Sequence, residues 1–219
     1  MDTESKLVDI KKFQTLLFKW YKLNGRPFFW RKNKNTPWDW FFIEFCLQRT
    51  RAETVNKYVP NLLKKYHDAE TVVNTSIDEL ENDFRKLGYY KIRAKKLQII
   101  CEYLISKNEG NIPCDYDKLM SIPHVGEYIT KAILCFAFNQ RYNLIDSNIA
   151  RIVIRLTGIS YSSDVRSTKI NQVSLLLLPK NHLSEYHYAL IDIASLICKK
   201  IPRCSLCPLL SVCLYSIPV

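Results

Sequence analysis

Near its C-terminal end the chain spaces four cysteines as Cys198-x5-Cys204-x2-Cys207-x5-Cys213, and no other feature restricts its fold so strongly. Four thiolates from one short, turn-rich segment can surround a compact inorganic core, whose bonds to sulfur then tie the segment together. Zinc is the rival, since it also takes four cysteines. Zinc sites usually use two close pairs, however, and here only Cys204 and Cys207 form one. The spacing therefore favours a 4Fe–4S iron–sulfur cluster over zinc and leaves both open. The other cysteines, Cys46, Cys101, Cys114 and Cys135, are scattered through apolar helical sequence, which argues for a reducing compartment rather than a disulfide scaffold.

At 219 residues and 47% hydrophobic content the chain can bury a substantial core. With only five glycines and no turn-punctuated alternation, it is predicted to be all-α. Helical spacing runs through 7–23, 38–49, 52–66, 77–86, 90–107, 115–121, 127–139, 147–157, 167–178 and 182–198. Thirty-two Lys and Arg against twenty-one Asp and Glu leave a formal charge of +11, which favours a polyanionic partner, nucleic acid above all. The first residues, Met1 to Lys6, lack a cationic-then-apolar signal, and no apolar run is long enough to span a membrane. A soluble protein of the cytoplasm or nucleoid, without a membrane partner, is expected.

Two segments carry candidate chemistry. From Leu119 to Ala132 a helical pattern is broken by Ile122-Pro123-His124-Val125-Gly126 and then resumes, the pattern of a helix–hairpin–helix. Main-chain amides at such a turn converge on a phosphate whatever the base sequence, and Gly126 permits close approach. Farther on, Asp146 follows an apolar stretch and precedes a helix at Ser147. Alone it is better taken as an N-cap. Glu44 lies in the apolar stretch Trp40 to Leu47, where a carboxylate needs a polar partner or a cleft. Arg31, Lys32 and Lys34, with Lys91, Arg93, Lys95 and Lys96, form basic clusters suited to phosphate attraction. The neighbouring Trp30, Trp38 and Trp40 are expected to pack helices.

Together these motifs resemble the helix–hairpin–helix Gly/Pro-Asp (HhH-GPD) superfamily of DNA glycosylases. Trp30-Arg31, Thr36-Pro37, Glu44 to Thr50, Leu87-Gly88-Tyr89-Tyr90, Arg93-Ala94 and the C-terminal cysteine segment resemble its MutY and endonuclease III-like members. Within that group Tyr128 resembles the thymine mismatch glycosylase (Mig-type) branch. The chain departs from the pattern at His124, where glycine is usual, and in a first cysteine gap one residue short.

The resemblance implies two helical lobes flanking an active-site cleft. A six-helix lobe would span 28–139, with its hairpin at about 115–139. A cluster lobe would combine 1–27 with 140–219 and carry the cysteine loop at 198–213. It also implies roles for individual residues. Asp146 would be the catalytic acid, Glu44 a group in the base pocket, and Gln48 and Arg49 the segment that enters the DNA stack. His124, Gly126 and Asn148 would contact DNA, with a monovalent cation a further hairpin ligand, and Cys198, Cys204, Cys207 and Cys213 would ligate the cluster. Bifunctional members have a nucleophilic lysine at the position of Tyr128, and tyrosine cannot form their Schiff base. The implied activity is a monomeric, monofunctional glycosylase removing thymine or uracil opposite guanine from duplex DNA. The alternatives are an adenine glycosylase, against which stand Tyr128 and the short sequence after Cys213, and a noncatalytic iron–sulfur DNA-binding protein.

Overall fold

A computed structural model describes residues 8–32, 34–159 and 168–215. Among them the regular structure is helical and no strand occurs, as the all-α expectation requires. The chain divides into two compact units, one running from Pro27 to Gln140 and the other combining the segment up to Arg26 with that from Arg141 onward.

The Pro27–Gln140 unit is built around α2 (Pro37–Leu47). Thr36 and Asp39 close a reciprocal capping box and Pro37 fills the first helical position, so the start of this helix is set locally. Trp38 and every residue from Trp40 to Cys46 are buried. A helix apolar on all sides has to be enclosed, and α3 (Ala52–Lys65) and α8 (Glu127–Phe136) pack against it. Trp40 stacks on Phe136 at 4.9 Å between ring centroids. The ring of Tyr66 continues the core from Phe42 to Phe84. α4 (Ala69–Val73) and α5 (Ile77–Phe84) pack on the long α6 (Tyr90–Asn108), and α7 (Tyr116–Met120) leads through the hairpin into α8. α4 was not foreseen, because five residues are too few to display a period; Asp68 starts it by accepting from the Thr71 amide at 2.7 Å.

In the other unit α1 (Ile10–Asn24) packs on α11 (Leu183–Leu196), with Phe13 meeting Tyr186 edge to face. α9 (Ser147–Thr157) packs on α11 and on α10 (Thr168–Leu177). Beyond α11 the chain makes two short 3-10 turns, Cys204–Leu206 and Leu210–Val212.

Several helices end earlier than their hydrophobic pattern. α2 stops at Leu47, not 49, because Gln48 leaves the helical region (ψ 116°) and Arg49 follows in the left-handed one (φ 56°). α8 stops at Phe136, not 139, because Asn139 is left-handed and the Gln140 amide turns back to the Leu134 carbonyl at 2.9 Å. α5 tightens into a 3-10 turn over Arg85–Leu87. Residues 1–7 and Ser167, included in the expected signal-free start and in two predicted helices, lie outside the described residues.

Arg26 and Asp192 form the best-buried ion pair among the described residues. Asp192 is fully buried and accepts from the Arg26 main-chain amide at 2.8 Å and from its Nε at 2.6 Å. Removing one partner of such a pair breaks these bonds together, at about 3–5 kcal/mol. Asp192→Ala is therefore expected to lower the urea midpoint by a corresponding amount, while an exposed-pair control, Glu79→Ala beside Lys65, stays within about 1 kcal/mol.

Candidate functional site

The hairpin joins α7 to α8 through two tight turns, with the Ile122 amide on the Leu119 carbonyl (3.2 Å) and the Val125 amide on the Ile122 carbonyl (3.1 Å). His124 is exposed and left-handed at φ 62°, although a residue with a Cβ adopts that conformation at a cost of roughly 1–2 kcal/mol. Gly126 is the N-cap of α8 and provides no side-chain acceptor for the first amides of this helix. A methyl group built on Gly126 would meet nothing within 4 Å. An open surface at the N-terminal end of a helix is a place for an anion. Tyr128 stands half-buried in the first turn of α8. Lys131, one turn on, is held by Glu127 at 2.6 Å.

Glu44 is enclosed in α2 at 7% exposure. No hydrogen bond or ion pair reaches its carboxylate from the described residues, and burial alone pushes its pKa up to about 7. Just beyond it, Gln48 and Arg49 leave the helix and stand exposed in a turn. Arg93, expected in a basic patch, is instead buried behind that turn at 5% exposure. The signal was present in the sequence: Arg93 occupies the same stripe of α6 as the buried Leu97, Ile100 and Leu104. Trp30, Trp38 and Trp40 are core residues, whereas Tyr89 is 57% exposed.

In the other unit Asp146 caps α9 and remains partly exposed. Its Oδ1 accepts from the amides of Asn148 (2.9 Å) and Ile149 (2.8 Å), and its Oδ2 from the Asn148 side-chain amide (3.0 Å). The segment leading to it is anchored at two points. His187, itself buried, donates from Nε2 to the Tyr142 carbonyl at 3.0 Å, and Asn143 donates to the Asn171 carbonyl at 3.2 Å.

Asn148 also accepts from Arg151 (3.2 Å), whose guanidinium continues to the carbonyls of Cys198 (2.9 Å) and Ala194 (3.3 Å). A chain of hydrogen bonds thus links Asp146 to the first cysteine. One turn along α9, Arg155 donates to the Cys198 sulfur at 3.3 Å and to the carbonyls of Lys199 and Lys200, and its own carbonyl accepts from the Cys213 thiol at 3.4 Å. Neither arginine was singled out in the sequence.

Cys198, Cys204, Cys207 and Cys213 are all partly exposed, and the other three sulfurs join burial in pushing the Cys207 thiol up to about 11. These four thiols are the donors that could hold a cofactor. As they stand, no three His, Cys, Asp or Glu side chains among the described residues are gathered tightly enough to grip a metal ion. A depression of about 440 Å³ lined by Lys107, Asn111, Cys114 and Lys118 contains none of the candidate residues.

Glu44 makes a stability test. Its folded pKa of about 7 lies above its ordinary 4.5, so the native state retains a proton that the unfolded chain releases between those values. Stability from this group is complete below pH 4.5 and is lost as pH rises through 7, in all about 3 kcal/mol. Glu44→Gln is expected to match the parent protein at pH 5 and exceed it at pH 8, as read from urea midpoints.

The chain is similar to known DNA glycosylases along most of its length. A thymine/uracil-DNA glycosylase of Pyrobaculum aerophilum is 30% identical over 215 residues, covering 95% of this chain and 93% of its own. An adenine DNA glycosylase of Buchnera aphidicola is 32% identical over 203 residues, and the chain spans 57% of its length. The solved structure of a thermostable thymine-DNA glycosylase superposes with a TM-score of 0.87 at 25% identity, covering 94% of this chain and 96% of that one. With residues 43–173 matching the family model itself, the chain belongs to the HhH-GPD superfamily of base excision DNA repair proteins.

Proposed function

We propose that the protein is a monofunctional DNA glycosylase that removes thymine or uracil opposite guanine, extruding the nucleotide and hydrolysing its N-glycosidic bond. The observation that carries this reading is Glu44, a buried carboxyl that keeps its proton to about pH 7 in the helix leading to the exposed Gln48–Arg49 turn. A base inside the duplex cannot be reached, so the nucleotide has to be turned out, with Gln48 occupying the space it leaves. As the bond from C1′ to the base breaks, its electron pair goes to the base, which Glu44 neutralises with its proton. Positive charge develops on the sugar, where the Asp146 carboxylate stabilises it. Water then bonds to C1′ and gives its proton to Asp146, while Asn148 keeps that carboxylate oriented. His124 and the amides after Gly126 hold a phosphate of the duplex.

Tyr128 supports the absence of strand cleavage, since its side chain offers no amine for a Schiff base. It also favours thymine or uracil over adenine, as does the thymine/uracil relative matched along nearly its whole length. The adenine reading has its own support in the 32% identical relative. Binding to DNA is as a monomer inside the cell, drawn by the charge of +11.

The four C-terminal cysteines suit a 4Fe–4S cluster by their chemistry and number, four thiols supplied by one short segment. When bound, the cluster ties the segment together; the hydrolysis, with no net redox change, asks no electron of it.

Defined duplexes carrying G:T, G:U or adenine opposite oxidised guanine, treated with alkali after reaction, are expected to be cut fastest at G:T or G:U. Fastest release of adenine would reject the substrate assigned. Asp146→Asn is expected to lower the single-turnover rate at least a hundredfold with DNA affinity within about threefold. The parent rate should fall above pH 7 as Glu44 loses its proton, a decline that Glu44→Gln abolishes. Borohydride should trap no covalent complex. Purified protein is expected to hold about four irons with broad visible absorption; zinc in their place would remove the cluster assignment.

A further inference from the structure

The proposed reaction leaves one buried cation without a task. Arg93 has no carboxylate within ion-pair distance among the described residues. Its guanidinium donates instead to the carbonyls of Phe45 (2.7 Å) and Gln48 (3.1 Å), the Thr50 hydroxyl (3.0 Å) and, at the limit of reach, the Gly88 carbonyl (3.5 Å). The Thr50 hydroxyl passes the connection to the Leu87 carbonyl at 2.9 Å. On the surface above, the Arg49 guanidinium lies over the Tyr89 ring at 5.6 Å, and both residues are left-handed. One buried group therefore fastens the turn after α2 to the turn before α6, at sites where the helices leave their last carbonyls without an internal donor.

We infer that Arg93 is a positioning residue for nucleotide extrusion: it locks the turns Gln48–Thr50 and Leu87–Tyr89 into one rigid element, so that Gln48 meets the DNA stack already ordered. The inference rests on the glycosylase reading above and deepens it. A turn held loosely would have to be ordered while the stack is being opened, and that loss of freedom would fall on the extrusion step rather than on first contact with the phosphates. Lysine is no substitute, because a planar fork with five donors can serve several acceptors at once and a single ammonium cannot.

The test uses the full chain and the duplex cut fastest in the panel above, with 2-aminopurine beside the target nucleotide to report extrusion. Arg93→Lys and the milder Thr50→Val, which removes only the shared hydroxyl, are compared with Gln48→Ala. All three are expected to lower the maximal single-turnover rate tenfold or more and to reduce the extrusion signal. The half-saturating protein concentration should move less than threefold, and Thr50→Val should melt within a few degrees of the parent.

If Gln48→Ala extrudes normally, the turn is not the extruding element and the reading of Gln48 fails, and the role of Arg93 with it. If Gln48→Ala is slow but Thr50→Val and Arg93→Lys extrude as the parent does, the assignment of Gln48 stands and that of Arg93 is overturned. A rate loss that only follows the fraction of protein folded also overturns it.

Discussion

Guanidinium groups donating to main-chain carbonyls hold the parts of this chain that its helices leave loose. With 32 Lys and Arg and only 21 Asp and Glu, many cations have no carboxylate to pair with. Arginine can still be used inside the fold, because its fork suits carbonyl oxygens at helix ends and in turns. Arg93 does this for the turn after α2, Arg141 for the end of α10 through the carbonyls of Leu175, Leu178 and Pro179, and Arg151 and Arg155 for the segment that opens at Cys198. Hydrogen bonds to a charged group are worth about 1.5–3 kcal/mol each, against about 0–1 for an exposed ion pair. Such bonds also leave the surface charge of the chain largely uncancelled, which a protein that meets a polyanion needs.

The two carboxylates assigned to the chemistry sit in opposite environments. Asp146 is partly exposed and receives three N–H donors, two from the main chain and one from Asn148. Glu44 is buried and receives none from the described residues. The second environment favours a neutral group, and the first surrounds its carboxylate with hydrogen-bond donors. A reaction that needs negative charge near a sugar and a proton near a departing base calls for that separation. Capping and catalysis are compatible at Asp146, since the helix amides that it satisfies also fix where the carboxylate points.

Much of this was legible in the sequence. The helices from α5 to α9 begin within a residue of where their apolar stripes predict; Ser76, Asp115 and Asp146 cap α5, α7 and α9, the hairpin turn opens α8, and α6 follows the left-handed Tyr89. Helix ends were less legible. α2 stops where Gln48 leaves the helical conformation and Arg93 takes up its carbonyl from another helix, while α8 closes on a local bond from the Gln140 amide to the Leu134 carbonyl after the left-handed Asn139. Arg93 is the clearest case, since charge places an arginine on the surface while its register on α6 places it in the core.

By itself the sequence determined the all-α class, the hairpin turn around Gly126, the acid that opens α9 and the set of four C-terminal sulfurs. Each depends on neighbours within a few residues, through capping, turn geometry or ligand spacing. Only the tertiary structure decided that Glu44 keeps its proton, that Arg93 is buried beneath two turns, and that Arg151 and Arg155 join the Asp146 segment to the cysteines. Burial and long-range hydrogen bonding are set by which surfaces the packed helices bring together, and no local pattern of residues encodes that.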